Sequence, residues 1–352
     1  MKKSIKSAIA ATVLFAVATM SAGIADRAAA KSLQVQNLFP NNLAFIGEGA
    51  QHFVSQVEKL TGGSLKMKLH TKGKIVPPYE AFDAVSAGII DAAWDTPIYQ
   101  GGLMPVAALI GSMPFGSDTD VLVAWTNQGG GAEILQRAYD KHNVKTFFCL
   151  VVPAEGGGWF NKEINTVEDF KGLKMRMPGL GAKVLTKMGA STQVIPPSEL
   201  FLALERGRVD AAELGYPTLD KQIGMHRAAK YYYLPGWHQR SSWLTFTINK
   251  DVWAGLAENE QVAIEAACAS TLVWSISNIT QFQVPVLDEF VAGGIEIRKY
   301  SPEILSALRK TADEVMAEES AKDPLFKEAY ESLTAFRQHF IRWNEMQKLP
   351  LE

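Results

Sequence analysis

Apolar and polar positions change period several times along the chain, and the changes mark its elements. Leu173, Met175 and Met177 alternate with Lys174 and Arg176, the period-two pattern of a half-buried strand. Pro178-Gly179 stops that strand and leaves Arg176 near its carboxyl end, where open α/β sheets expose ligand crevices. The spacing then predicts helices at Ala182–Met188 and Pro197–Arg206, the second opened by a Pro-Pro pair and closed at Gly207. Val209–Glu213 returns as a short strand that delivers a carboxylate to the same edge. An arginine and a glutamate therefore share one rim.

The same order occurs upstream. Leu33–Phe39 and Leu65–Leu69 are predicted strands, with a helix from about Leu43 to Leu60 between them. A helix from Tyr79 to Ala87 ends at Gly88 and leads into the strand Ile90–Trp94. Lys66–Leu69 lies over Lys174–Met177, and the Gly88-x-x-Asp91-Ala92-Ala93 run lies over Gly207-x-x-Asp210-Ala211-Ala212. Two similar βαβ units in one chain are what a bilobed α/β protein requires.

The remaining segments add length to that frame. Val144–Val152 is a strand running into the turn-rich Pro153–Gly158, a candidate hinge, and Gly129–Gly131 reads as a flexible joint. Ser242–Asn249 is a strand, and a long helical region over Asn259–Phe290 is expected to kink at Pro285. The last helix starts at Asp323-Pro324. Its stripe of Phe326, Tyr330, Leu333, Phe336, Phe340 and Trp343 predicts packing either on the body or on a second copy as a homodimer. The expected lobes are residues 31–152 plus about 240–285, and 153–239 plus about 286–320, with 321–352 as the terminal helix.

Composition narrows the class. At 47% apolar and 20% charged residues the chain is an ordinary globular protein, and a net charge of −2 gives no reason to expect a nucleic-acid partner. Lys2, Lys3 and Lys6 precede the apolar run Ala8–Met20, and Ala28–Ala30 supply small residues for cleavage. This predicts a signal peptide over residues 1–30 and a periplasmic protein. Cys149 sits in an apolar strand and Cys268 on a helix, which reads as two buried free thiols. No HExxH, GxSxG or Walker motif is present, and the six histidines show no metal-ligand spacing, so an enzyme is not expected.

GLKMRMPG, the run IPPSELFLALERGRVDAAE and the upstream FDAVSAGIIDAAWD resemble the solute-binding subunits of TRAP (tripartite ATP-independent periplasmic) transporters. YYYLPGWHQ, GGGWFNKEI and the aromatic last helix are most similar to the branch that binds 2-oxo acids and other small monocarboxylates. The resemblance implies two α/β lobes joined by hinge strands and a long connecting helix, closing on an organic acid for delivery to a membrane permease. It implies that Arg176 clamps the acid's carboxylate and that Tyr99 offers it a hydroxyl. Phe39, Trp94 and Trp159 are aromatics at strand ends, which read either as apolar walls of the pocket or as core. It also implies Na⁺ or Ca²⁺ bridging to the ligand, held by Glu213, Gln239 and the backbone carbonyl of Leu214, with no organic cofactor. Glu155 joins this set, and its extra negative charge favours Ca²⁺. A receptor that signals to a partner instead of feeding a permease, and a periplasmic enzyme acting on an organic acid, stand as alternatives.

Overall fold

The computed structural model describes residues 30–349, so the expected signal peptide lies outside the described residues except for Ala30. Two sheets carry the architecture, each the floor of one lobe. The first contains β1 (Lys31–Asn37), β2 (Leu65–His70), β3 (Ala92–Asp95), β4 (Val144–Val152) and β10 (Ser242–Asn249) in the order β2-β1-β3-β10-β4. Strand β10 runs antiparallel between β3 and β4 and is buried on both faces, which is why its sequence is almost wholly apolar and threonine. The second sheet contains β5 (Gly158–Phe160), β6 (Lys174–Arg176), β7 (Ser191–Gln193), β8 (Ala211–Ala212), β9 (Tyr231–Leu234) and β11 (Glu296–Lys299) in the order β11-β9-β5-β8-β6-β7.

The internal repeat is present, but its strands correspond differently from the sequence expectation. β6 lies between β7 and β8 as β1 lies between β2 and β3, all parallel. So β6 matches β1, not β2. Met175 pairs with Ala211 as Val35 pairs with Ala92, and the Asp210 carboxylate accepts from the Lys174 N–H as Asp91 accepts from Gln34. Similar residues in Lys66–Leu69 and Lys174–Met177 reflect two strands of like polarity, whereas the Gly-x-x-Asp-Ala-Ala anchor is the true equivalence. Gly88 and Gly207 both take φ near +70°, at 70° and 68°, to turn a helix into a strand. Those helices are α2 (Ala81–Ser86) and α4 (Pro197–Glu205), while α1 (Ile46–Leu60) and the shorter α3 (Gly179–Lys187) follow the first strand of each copy.

Three segments cross between the lobes. Pro153–Gly157 leaves β4 for β5, and Pro235–Ser241 returns from β9 to β10. They touch closely: a Cβ at Gly236 would collide with the Glu155 carbonyl, and one at Gly156 with the Tyr232 ring. The third crossing is helical. α6 (Glu258–Asn278) packs on α1 and β4, and α7 (Gln283–Ala292) packs on α5 (Pro217–Ile223) of the second lobe. The break falls at Ile279–Phe282, one turn before Pro285, which sits in the first turn of α7. A proline there sacrifices no hydrogen bond, and its ring disfavours helix in the preceding turn.

Two expectations are corrected or divided here. Cys149 on β4 and Cys268 on α6 are not free thiols; their Cα atoms are 4.4 Å apart and they form a disulfide. Each position reads correctly as buried, but nothing in either local pattern says that this helix packs on that strand. The last helix, α8 (Pro324–Met346), packs on the body: Phe326, Ala329 and Leu333 are buried, and Trp125 Nε1 donates to Ser332 Oγ at 3.0 Å. Its far end leaves the body, with Trp343 60% exposed.

Candidate functional site

Arg176 ends β6, and its side chain points away from Met175 into the space between the lobes. It is only 1% exposed. Nη1 donates to the Glu213 carboxylate and to the Glu213 carbonyl, both at 2.6 Å. Nε donates to Ile195 O at 3.3 Å, and Nη2 to the Tyr99 hydroxyl at 3.2 Å across the cleft. Of five guanidinium N–H groups, four have partners and one on Nη2 is open. Tyr99 in turn packs at a tilt against Tyr79, ring centroids 4.7 Å apart.

Glu213 follows β8, adjacent to Arg176 in the parallel ladder, so register alone delivers the pair to one rim. The two crossing segments add the rest. Glu155 comes from the outgoing crossing, His238 and Gln239 from the returning one, and the Glu155 N–H donates to Gln239 O. His238 Nε2 stands 3.4 Å from Glu213 Oε2 and 3.6 Å from Glu155 Oε2, with neither ring nitrogen hydrogen-bonded. Sequence reasoning passed over His238 and Tyr79. A single histidine in a loop carries no periodic signal, although its place beside Gln239 in a Pro-Gly turn was the available clue.

Burial shapes the charges. It is the largest influence on Glu213 and pushes it upward, yet Arg176 and His238 outweigh it and leave its carboxyl below the ordinary range. Glu155 is pushed up to about 7, chiefly by burial and also by the Glu213 charge, against the pull of His238. Burial opposes the charged form of His238, but the two flanking carboxylates lift it to about 9. Arg176 stays firmly protonated, since Glu213 more than offsets its burial.

These groups face a cavity of about 50 Å³ lined from both lobes by Phe39, Tyr99, Glu155, Arg176, Glu213, Leu214 and Gln239, among others. Seven of the nine residues singled out as site candidates thus meet at one place. Trp159 does not. It is fully buried in the second lobe, tilted against Tyr232 and edge-on to Phe290, and its Nε1 donates to Asp220 at 2.8 Å. β5 is covered on both faces, so a tryptophan there is core and not wall. Trp94 is likewise core, packed on Phe53. The oxygens at the cavity fit a hard cation: the Glu155 and Glu213 carboxylates and His238 bring ligand atoms within 4.8 Å of one another, and Gln239 and Leu214, each with an oxygen to offer, line the same space.

A latch closes the same cleft away from the charges. Gln222 on α5 accepts from the Ala44 N–H at 2.6 Å and donates to Asn42 O at 2.8 Å, and the Tyr216 hydroxyl donates to Ala44 O at 3.0 Å.

The chain matches a known family over most of its length. The family described as bacterial extracellular solute-binding protein, family 7 (DctP), matches residues 39–323. A monocarboxylate 2-oxoacid-binding periplasmic protein of Nostoc sp. is 36% identical over 304 residues, 86% of this chain and 84% of its own. A TRAP transporter solute-binding protein of Bordetella bronchiseptica, solved as a mixed-occupancy dimer with calcium and picolinate, superposes with a TM-score of 0.88 at 30% identity, covering 90% of this chain and 95% of that one. One from Colwellia psychrerythraea with bound calcium and pyruvate gives 0.85 at 30% identity, and one from Pseudoalteromonas atlantica with sodium and pyruvate gives 0.85 at 29%; each covers 90% of this chain and 97% of its own. The match runs through both lobes and the cleft between them, and this chain belongs to the DctP family of TRAP-transporter solute-binding proteins, which are binding subunits and not enzymes.

Proposed function

We propose that this chain is a periplasmic receptor for a small 2-oxo or 2-hydroxy monocarboxylate, closing on it together with Na⁺ or Ca²⁺ and delivering it to a TRAP permease. The observation that carries the reading is a buried, permanently charged Arg176 facing a small cavity between two lobes. A water needs roughly 10–15 Å³ of such space, so about 50 Å³ takes a handful of non-hydrogen atoms. The acid's carboxylate has the open Nη2 N–H and the Tyr99 hydroxyl as donors, in a site where charge-assisted bonds are strong.

A cation balances the charge. Glu155, Glu213 and the acid set three carboxylates beside two cationic side chains, Arg176 and His238, and Glu213, Glu155, Gln239 and the Leu214 carbonyl are the groups that would hold the ion. It would supply the positive charge that lets a carboxylate enter beside two others. The expected signal peptide and the relatives' calcium, sodium and pyruvate support the same reading.

A thermal-shift screen of 2-oxo, 2-hydroxy and dicarboxylic acids, with and without Na⁺ and Ca²⁺, tests it, since a true ligand raises Tm by mass action. No response to any monocarboxylate would end the proposal. Glu213→Gln is expected to weaken Ca²⁺ dependence at least tenfold in calorimetric titration, because it removes a formal charge from the donor set. An unchanged Ca²⁺ requirement would remove Glu213 from it.

Closure has its own prediction. Gln222→Ala removes two hydrogen bonds that hold the lobes together but touch no ligand group. At about 0.5–1.5 kcal/mol each, the pair contributes about 1–3 kcal/mol to closure, and affinity is expected to fall roughly 5- to 150-fold through a smaller closed population. The ligand-free radius of gyration by X-ray scattering should rise. A variant with wild-type radius and affinity would show that Gln222 does not bias closure.

A further inference from the structure

The edge strand of the first sheet, β2, and the loop that follows it carry a run of positive charge. Lys66, Lys68, Lys72 and Lys74 fall within Leu65–Pro78, a stretch with no aspartate or glutamate. Lys66, Lys68 and Lys74 are exposed and Lys72 is half-buried. We infer that this strip docks on an anionic phospholipid surface and holds the mouth of the cleft toward the membrane that carries the permease. The inference goes beyond ligand binding, and only its purpose rests on the receptor reading above.

Four observations carry it. First, the charge is not neutralised. Among the described residues only Lys66 of the four has an acidic partner, Glu58 at 3.8 Å, and both of those side chains are about half exposed. Burial and then the charges of Lys68 and Lys74 hold the imidazole of His70 below its usual range, and no carboxylate counters them. The full chain, by contrast, has a net charge of −2, even with the four basic side chains of the expected signal peptide included.

Second, the internal repeat supplies a comparison. β7 holds the same edge position in the second sheet as β2 holds in the first. From Ser191 through the Pro-Pro pair at Pro196-Pro197, that copy has no charged residue. Lysines on a strand edge also deter pairing with another chain. That need does not reach Lys72 and Lys74, which lie past the end of β2 at His70.

Third, the strip ends at the cleft. The Lys72 N–H donates to Phe39 O, and Lys72, Pro78 and Tyr79 border one space with Pro196 and Ser198 of the second lobe. The loop is the first lobe's lip of the cleft, so a surface that holds the loop faces the opening.

Fourth, the residue types suit a lipid surface better than a protein. All four cations are lysines, strongly hydrated point charges on flexible stems, whereas protein interfaces are enriched in arginine and depleted of lysine. Ile75 and Tyr79, each 39% exposed, stand at the same lip and supply shallow apolar contacts of the kind that enter a headgroup layer.

The test is co-sedimentation of the exported chain, without acid or Ca²⁺, with vesicles of phosphatidylcholine alone and of phosphatidylcholine mixed equally with phosphatidylglycerol. Binding is expected to the anionic vesicles only, and its loss at about 1 M salt, where the screening length is about 3 Å. Each lysine near the surface contributes about fivefold, so Lys68→Gln combined with Lys74→Gln should weaken vesicle binding about 25-fold. Neither side chain lines the ligand cavity, so acid affinity by calorimetric titration should be unchanged. Lys327→Gln combined with Arg342→Gln, an equal charge change at exposed positions of α8, should leave vesicle binding unchanged. No sedimentation with anionic vesicles at low salt, or an equal loss in the α8 variant, overturns the strip as a docking surface. Sedimentation only with vesicles that contain the permease overturns the lipid assignment in favour of an acidic face of that protein. Because no acid is present, failure of the receptor reading leaves the vesicle result standing.

Discussion

Arg176→Ala is expected to weaken acid binding at least 100-fold and to destabilise the chain by about 3–5 kcal/mol. The two effects have separate causes. Binding falls because the cleft loses its permanent positive charge. Stability falls because Glu213, 3% exposed, is left as a buried carboxylate without its 2.6 Å partner. A double variant separates them: Arg176→Met with Glu213→Leu replaces a buried ion pair by apolar groups, which is often neutral or stabilising. Urea unfolding should show the double variant recovering most of the lost stability, while titration shows no recovery of binding. Arg176→Lys is the sharper control, since one ammonium cannot reach Ile195, Glu213 and Tyr99 in the fixed geometry of a planar fork. Acid binding by Arg176→Ala at wild-type affinity would remove the clamp altogether.

The rim that holds Arg176 and Glu213 was legible because both residues end short parallel strands, and sequence pattern locates strand ends well. Register then makes them neighbours without further information. What pattern could not supply was pairing between distant elements. The matching of β6 with β1 instead of β2 appears only in the hydrogen-bond order, because two strands of similar alternation look alike. The same gap explains Cys149 and Cys268, each readable as buried, and Trp159, whose ring is enclosed by Tyr232 of the neighbouring strand and Phe290 of α7. His238 was invisible for a different reason. Its role depends on two crossing segments meeting at Glu155 and Gln239, a tertiary contact with no local signature.

Breaking the Cys149–Cys268 bond is expected to cost about 2–4 kcal/mol of unfolding free energy, the usual range for a native disulfide. The two cysteines are 119 residues apart, and closing so long a loop in the unfolded chain carries a large entropic weight. The bond joins β4, which feeds the outgoing crossing at Pro153, to α6, which feeds the helical crossing at Ile279. Ser275 on the same helix reinforces this base by accepting from the Val151 N–H at 3.3 Å. Both crossings thus leave the first lobe from one tied platform. Neither the Arg176–Glu213 pair nor Tyr99, Glu155 or Gln239 lies on it, so Cys268→Ala is expected to lower the denaturation midpoint while changing ligand affinity less than about twofold. Alkylation of the unreduced, unfolded exported chain that labels both cysteines would show the bond absent. Equal unfolding midpoints for Cys268→Ala and the parent chain would show that it contributes nothing to the fold.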